Sequence, residues 1–181
     1  MSEDSVVEDA EQADAGPEPE PVPEKHGVPV TDSFGQEVLH PSRAQYRDLV
    51  ETLRSEGYLV CIDVTAVDYL AHPHRAVAPG VAPERFELVV SFLSHEQKAR
   101  TRLRIQVPEV DPTVASIVDL HPGADALERE VFDMFGITFE GHPDLTRILM
   151  PEDWDGYPLR KDYAVGAIPV QFKGAGREER G

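Results

Sequence analysis

The sequence predicts an α+β fold: a small antiparallel sheet with helices packed on one face, followed by an extended C-terminal arm. Three observations predict it. Two stretches carry apolar residues at intervals of three and four, the spacing of a helix that buries one side. Between them lie β-branched segments separated by turn residues, as in antiparallel strands. After the second helix, prolines and glycines recur too often for long regular elements, although the segment stays apolar.

The first predicted helix begins at a capping box formed by Ser42 and Gln45 and ends at Gly57. Its apolar side is expected to lie on the sheet, because a single stripe of large side chains needs a surface to cover it. The stripe consists of Tyr46, Leu49, Val50 and Leu53.

The segments on either side of this helix predict strands. Residues 58–69 are apolar and β-branched and predict a strand with an interruption near Thr65. Residues 27–40 combine valines with turn formers and predict either a short hairpin or a lead-in loop.

Residues 85–93 and 101–107 predict a hairpin, because two strand patterns flank one short polar segment. In the second strand, apolar residues alternate with polar ones, so one face of the sheet is expected to meet water. The polar residues are Arg102, Arg104 and Gln106.

Two helices are predicted next. Asp111 and Pro112 form a typical helix start and predict a short helix through Val118. A longer central helix is expected from Gly123, and Gly136 suits its left-handed C-terminal cap. The apolar stripe of the central helix comprises Ala124, Leu127, Val131, Met134 and Phe135.

The charged residues of the central helix are expected on its outer surface. Arg129 and Asp133 are four residues apart and predict an ion pair on the face opposite the stripe. Glu128 and Glu130 flank the stripe on either side.

The C-terminal arm, residues 148–181, is predicted to be extended and to lie against a surface, either of its own domain or of another chain. Arg160 and Lys161 form a basic pair in an acidic chain, which predicts an anchor in a carboxylate-lined groove; an ordinary solvated turn is the alternative. The region carries Leu145, Ile148, Leu149, Met150, Trp154, Tyr157, Leu159 and Tyr163.

Length and charge define three regions and exclude several partners. Residues 1–26 are acidic and Pro-rich and predict a disordered or extended tail, or an acidic segment that docks on a basic partner. Residues 27–147 form the predicted domain, and 148–181 the C-terminal arm. A net charge of −17 over 181 residues argues against nucleic acid and anionic lipid as partners.

The expected compartment is the cytosol. The N-terminal stretch is acidic where an export signal is basic, and no apolar run is long enough to span a membrane. The single cysteine, Cys61, excludes an intramolecular disulfide and a multi-cysteine cluster.

The familiar catalytic and cofactor motifs are missing: there is no glycine-rich phosphate loop, no Cys-x-x-Cys and no His-Glu-x-x-His. One enzymatic alternative remains, a free-standing acid/base site that uses Asp133, Glu128 and His142. The single histidines His142, His121 and His95 predict turn or core positions rather than a metal site.

Residues 128–137, EREVFDMFGI, and residues 141–163, GHPDLTRILMPEDWDGYPLRKDY, resemble the signature of the C subunit of bacterial NADH-quinone oxidoreductase, the thirty-kilodalton subunit family of respiratory complex I. The resemblance extends more weakly over roughly residues 40–165. Ala126 stands where the family commonly has Trp, and Thr146 where it is often basic. Neither change affects the family assignment.

The resemblance implies a peripheral subunit on the cytoplasmic side of the bacterial cell membrane, beside subunits D and B of the quinone module. It implies no cofactor in this chain, with FMN, iron–sulfur clusters and quinone in partner subunits. The chain is expected to be a separate subunit rather than one fused to the D subunit. By family correspondence the structural and interface residues, none of them catalytic, are Glu128, Arg129, Glu130, Asp133, Gly136, His142, Arg147, Trp154, Pro158, Arg160, Lys161 and Tyr163.

The function expected from this resemblance is that of a non-catalytic scaffold in proton-pumping electron transfer from NADH to quinone. The alternatives are the equivalent subunit of a membrane-bound hydrogenase or formate hydrogenlyase complex, and the acid/base enzyme described above.

Overall fold

A computed structural model describes residues 22–164 of the chain. Residues 1–21 of the predicted tail and 165–181 of the predicted C-terminal arm lie outside the described residues. A 3-10 turn, Pro122–Ala124, precedes the second helix. The helices are α1 Arg43–Ser55 and α2 Asp125–Phe135, and the strands are β1 Glu24–Lys25, β2 Val28–Ser33, β3 Gln36–Leu39, β4 Val60–Asp68, β5 Phe86–Ser94, β6 Ala99–Val107, β7 Thr113–Ala115 and β8 Thr138–Glu140.

The main sheet has six strands in the order β1-β2-β3-β6-β5-β4, and β7 pairs with β8 in a separate two-stranded sheet. The predicted α+β class is confirmed. Neighbouring strands of the main sheet are antiparallel except β3 and β6, which are parallel. Hairpins fix the relative directions of β2 and β3 and of β5 and β6, but no hairpin joins β3 to β6, so that pair is free to be parallel.

Both helices cover the same face of the main sheet. The predicted stripe of α1 is buried and packs with the apolar side chains of β5 and β6. α2 packs beside it, over β4. The sheet side of this core is formed by Phe86, Leu88, Val90, Phe92, Leu103, Ile105 and Val107.

The segment 27–40 is a hairpin, one of the two predicted possibilities. β2 and β3 pair antiparallel, with Ser33 opposite Gln36. The two turn residues, Phe34 and Gly35, have φ values of 55° and 77°. Positive φ at both central positions is the turn geometry that matches the twist of paired strands.

The predicted helix from Asp111 to Val118 is wrong. The Asp111 side chain accepts a hydrogen bond from Arg43 Nη1 at 2.9 Å and is used to hold α1. Residues Thr113–Ala115 form β7, parallel to β8. Two β-branched residues in that stretch favour a strand once a partner strand lies alongside.

β4 is continuous through Thr65, so the predicted interruption there is wrong. The irregularity lies earlier, as a bulge between Cys61 and Asp63 opposite β5. An extra residue at a bulge bends the strand and increases its twist.

Candidate functional site

Asp133, near the C-terminus of α2, fastens the start of the C-terminal arm to the domain. Its fully buried carboxylate accepts through Oδ2 from the amides of Ile148, Leu149 and Met150 at 3.1, 2.8 and 2.8 Å. Oδ1 accepts from Arg147 Nη1 at 2.7 Å. A carboxylate that binds three successive amides fixes the path of the chain that carries them.

The charged form of Asp133 is the one that suits this site. Burial raises the pKa of its carboxyl, but the amides of Met150 and Leu149 and the Arg147 guanidinium outweigh burial and hold the pKa below its usual value. The prediction that Asp133 lies on the exposed face of the central helix is therefore wrong. The C-terminal arm covers this carboxylate and is bound by it.

Arg147 joins α2 to the middle of the C-terminal arm. Besides the Asp133 carboxylate, it donates to the main-chain oxygen of Asp133 at 3.2 Å and to that of Gly156 at 3.1 Å. Its guanidinium also lies 5.4 Å from the ring centroid of Tyr157. One side chain thus ties together three points of the chain.

Gly136, the predicted left-handed cap, lies directly beneath the C-terminal arm. Its φ is 71°. A Cβ at this position would lie 2.5 Å from the Tyr157 ring and 2.8 Å from Arg160 Nη2. Only glycine combines this backbone conformation with such a close approach.

The C-terminal arm also satisfies the last carbonyls of α2, which have no partner within the helix. The amide of Leu159 donates to the oxygen of Met134 at 3.1 Å, and Arg160 Nε donates to the oxygen of Phe135. The Arg160 guanidinium lies 4.5 Å from the Tyr157 ring centroid.

Farther along, the C-terminal arm is tied to the end of β4. Asp68 Oδ2 accepts from the amide of Lys161 at 2.8 Å and from Arg85 Nη2 at 2.9 Å. Arg85 also pairs with Asp162 at 2.8 Å and with Glu109. Burial raises the pKa of the Asp68 carboxyl. Arg85 and the bound amides lower this pKa by a larger amount, so it stays below its usual value.

These contacts specify how the predicted basic pair is used. Arg160 binds helix carbonyls, and Lys161 contributes its main-chain amide to Asp68 while the residue itself is exposed. Among the described residues neither basic side chain of the pair reaches a carboxylate, so the predicted carboxylate-lined groove is not formed by this domain. Asp68 and Asp133 instead bind main-chain amides of the C-terminal arm and the side chains of Arg85 and Arg147.

Glu128 lies at the flank of the stripe but is fully buried, so the expectation that it lies on the outer surface of the helix is wrong. It accepts from Ser116 Oγ at 2.7 Å and from the amide of Ile117 at 2.8 Å. Burial raises the pKa of this carboxyl to about 7, although both hydrogen bonds act in the opposite direction. Glu128 holds the segment after β7 against α2.

Arg129 does not pair with Asp133 as predicted. Its Nε and Nη2 donate to the main-chain and side-chain oxygens of Thr146 at 3.1 and 3.0 Å, and Nη2 also reaches the oxygen of Arg147 at 3.2 Å. Arg129 therefore supports the segment that leads into the C-terminal arm. Glu130, by contrast, is exposed.

His142 occupies the turn predicted for it. Nδ1 accepts from the amide of Asp144 at 3.0 Å, which leaves Nε2 to donate toward the main-chain oxygen of Asp125 at 3.4 Å. Between residues 22 and 164, no group of three or more His, Cys, Asp or Glu side chains is arranged to hold a metal ion.

The remaining predicted residues shape the C-terminal arm. The Tyr163 ring lies over Gly156, where a Cβ would meet it at 2.8 Å. Pro158 is half-buried, as is Trp154. Within the described residues, the buried Nε1 of Trp154 has no hydrogen-bond partner.

The outer side of the C-terminal arm is apolar and uncovered. Ile148, Leu149 and Leu159 are 40, 60 and 48% exposed, although the backbone around them is held by α2 and β4. Large apolar groups on a fixed, exposed segment are typical of a surface that binds another protein.

Sequence reasoning missed Asp68 and Arg85 as site residues. The one signal present was an acid at the end of a strand rich in apolar residues, because an acid that is buried there needs a partner. Nothing in the local sequence links Asp68 to residues 161–162, which are more than ninety positions away.

The geometry defines a single α+β domain whose C-terminal segment is bound to its central helix and presents an apolar outer side. Residues 39–168 match the model of the family described as respiratory-chain NADH dehydrogenase, 30 Kd subunit. The chain belongs to this family.

Curated relatives agree. The chain is 42% identical over 85% of its length to the C subunit of the NADH-quinone oxidoreductase of Saccharopolyspora erythraea, with 59% of that relative covered. It is 38% identical over 81% of its length to the corresponding subunit of Thermus thermophilus, with 71% of that relative covered. The chain spans little more than half the length of three curated relatives.

Two solved structures share the fold. A trypsin-resistant fragment of Nqo5 is 34% identical, with a TM-score of 0.58 over 66% of this chain and 90% of the fragment. A chain of an archaeal membrane-bound sulfane sulfur reductase has a TM-score of 0.64 over 77% of this chain and 79% of its own. At 21% identity the second match supports the fold alone.

None of the helices between residues 22 and 164 has the length and apolar character needed to span a bilayer.

Proposed function

We propose that this chain is a non-catalytic scaffold subunit in the peripheral part of a proton-pumping NADH-quinone oxidoreductase. In this proposal the chain carries no cofactor, and FMN, iron–sulfur clusters and quinone belong to partner subunits. The chain supports electron transfer from NADH to quinone by holding its neighbours in place. The names of the curated relatives support the choice of complex.

The observation that carries the scaffold role is the fixed C-terminal arm. Asp133, Arg147 and Asp68 hold its backbone in one path. Leu149 and Leu159 nevertheless remain largely exposed on its outer side. A surface that is ordered before binding loses little conformational freedom on association, which favours tight and specific contact.

The proposed partners are subunits D and B, on the cytoplasmic side of the membrane. Binding by the C-terminal arm depends on apolar contact, since its exposed side chains are aliphatic. The acidic charge of the chain disfavours direct adhesion to anionic lipid, so a protein partner fits better than the membrane surface.

The acid/base alternative is less well supported. The Asp133 carboxylate binds amides of the C-terminal arm, and the Glu128 carboxylate binds Ser116 and the amide of Ile117. His142 accepts a hydrogen bond from the amide of Asp144 in its own turn. Each of the three groups is committed to a different structural contact. A general acid and base acting on one substrate need to face a common space.

The proposal is tested by purifying the tagged full chain from solubilised membranes. We expect subunits D and B and a flavin-containing subunit to co-purify, and the chain purified alone to show no flavin or iron–sulfur absorbance. Co-purification with hydrogenase subunits and no flavin subunit would favour the hydrogenase alternative. Stoichiometric cofactor on the isolated chain, or turnover by it, would overturn the scaffold role.

A further inference from the structure

The two edges of the main sheet differ in how they are protected. β1, at one edge, has only two residues, includes Lys25 and follows Pro23. Short length, lysine and proline are common means of preventing an edge from pairing with another chain. β4, at the other edge, has nine residues and contains neither lysine nor proline; a bulge and the exposed acid Asp63 in its first half are its protective features.

The first half of β4 carries exposed side chains. Outside β4 the described part of the chain supplies no further strand. Leu59, Val60 and Ile62 are 63, 38 and 42% exposed, and Asp63 and Thr65 beside them are also exposed. The bulge between Cys61 and Asp63 bends this half but leaves its apolar side chains uncovered.

The strand that carries this edge also contacts the C-terminal arm, at its opposite end. α2 packs on β4 and also carries the arm, and the amide of Lys161 binds Asp68 at the end of β4. Seven of the nine exposed large hydrophobic residues in the described chain lie on β4, on its immediate flanks or on the arm. They are Leu59, Val60, Ile62, Leu70, Ile148, Leu149 and Leu159.

We propose that a β-strand of the neighbouring subunit that binds the C-terminal arm pairs with the edge formed by Leu59 and the first half of β4, residues 59–65. This inference rests on the proposed function. Main-chain hydrogen bonds to the edge supply affinity, and apolar side chains of the added strand cover Leu59, Val60 and Ile62.

The added strand also carries a lysine or arginine opposite Asp63. Asp63 is exposed and has no ion-pair partner among the described residues, and opposite charges across paired strands stabilise a sheet. The net charge of −17 favours a basic partner segment over a second copy of this chain.

Hydrogen exchange tests the added strand. The amides of residues 59–65 are measured in the isolated full chain and in the purified complex. We expect strong additional protection of alternate amides in the complex, because only one side of an edge strand gains main-chain partners. Unchanged exchange across these residues would overturn the proposal.

A charged substitution provides the binding test. Ile62→Lys is expected to raise the dissociation constant for the partner subunit about tenfold, since a lysine on the edge opposes pairing. Phe34→Lys is the matched control, because Phe34 is fully exposed in the turn between β2 and β3, whereas β4 lies at the opposite edge of the sheet. Unfolding curves verify that both variants fold.

The outcomes separate this inference from the proposed function. If Leu149→Glu on the C-terminal arm abolishes binding while Ile62→Lys has no effect, the edge proposal is wrong and the proposed function stands. If neither variant weakens binding, both are wrong. A dimer of the isolated chain that Ile62→Lys dissociates would identify the occupant as a second copy and overturn the proposal.

Discussion

Asp133→Asn is expected to lower the free energy of unfolding by about 3–5 kcal/mol, the usual cost of removing one partner of a buried ion pair. The substitution removes the charge that four donors share and leaves Arg147, whose side chain is 15% exposed, without its carboxylate. The side-chain NH2 group of asparagine is itself a donor, so its hydrogens would face the N–H groups that bind Asp133 in the wild type. Urea unfolding followed by circular dichroism measures the change.

The same variant is expected to release the C-terminal arm. Trypsin should cleave after Arg147 much faster than in the wild type, while the domain retains its circular dichroism spectrum. Glu130→Gln is the control, because Glu130 lies on the same helix and is exposed. Equal stability and equal cleavage in the two variants would show that Asp133 does not fasten the arm.

Glu128→Gln is expected to change how stability depends on pH. The pKa of Glu128 is about 7 in the folded chain against an ordinary value of 4.5. Between these values the folded chain binds more protons than the unfolded chain, so this group makes stability fall as pH rises. The loss is on the order of 3 kcal/mol by pH 8, since each pKa unit is worth about 1.4 kcal/mol.

The comparison of variant with wild type isolates this effect. Burial lowers the pKa of His40 and His121, and both groups therefore make stability rise with pH up to their ordinary pKa, against the trend from Glu128. Subtracting wild-type from variant unfolding free energies at each pH cancels them. We expect the difference to increase between pH 5 and pH 8 for Glu128→Gln and to stay flat for Glu130→Gln; parallel curves for Glu128→Gln would contradict the assignment.

The helices were predictable from the sequence because caps and apolar stripes are determined by residues close together in the chain. The capping box of Ser42 and Gln45 forms as expected, with the Ser42 side chain bonded to the Gln45 amide. The stripe of α1 and the left-handed Gly136 were also readable from spacing and residue type. The helix predicted from Asp111 is replaced by β7 because residues 113–115 pair with the distant β8, and the Asp111 carboxylate binds Arg43 instead of capping a helix.

The site was only partly predictable. The apolar character of the C-terminal arm indicated that it lies on a surface, and its own domain supplies that surface on one side. The positions of Asp133 and Glu128 were not predictable from helical spacing, because their buried partners lie on the arm and after β7. Charged residues on a helix are usually exposed to solvent. Asp133 and Glu128 are buried instead, because distant parts of the chain supply their hydrogen-bond partners.

The most direct test of the account is the affinity of the full chain for its neighbouring subunit when one exposed side chain of the C-terminal arm is changed. Leu149→Glu should leave the unfolding curve unchanged and abolish measurable binding, whereas Phe34→Glu, in the turn between β2 and β3, should bind as the wild type does. Both residues are exposed, so the two variants differ in location rather than in burial. Wild-type affinity for Leu149→Glu would contradict the claim that the arm is the binding surface.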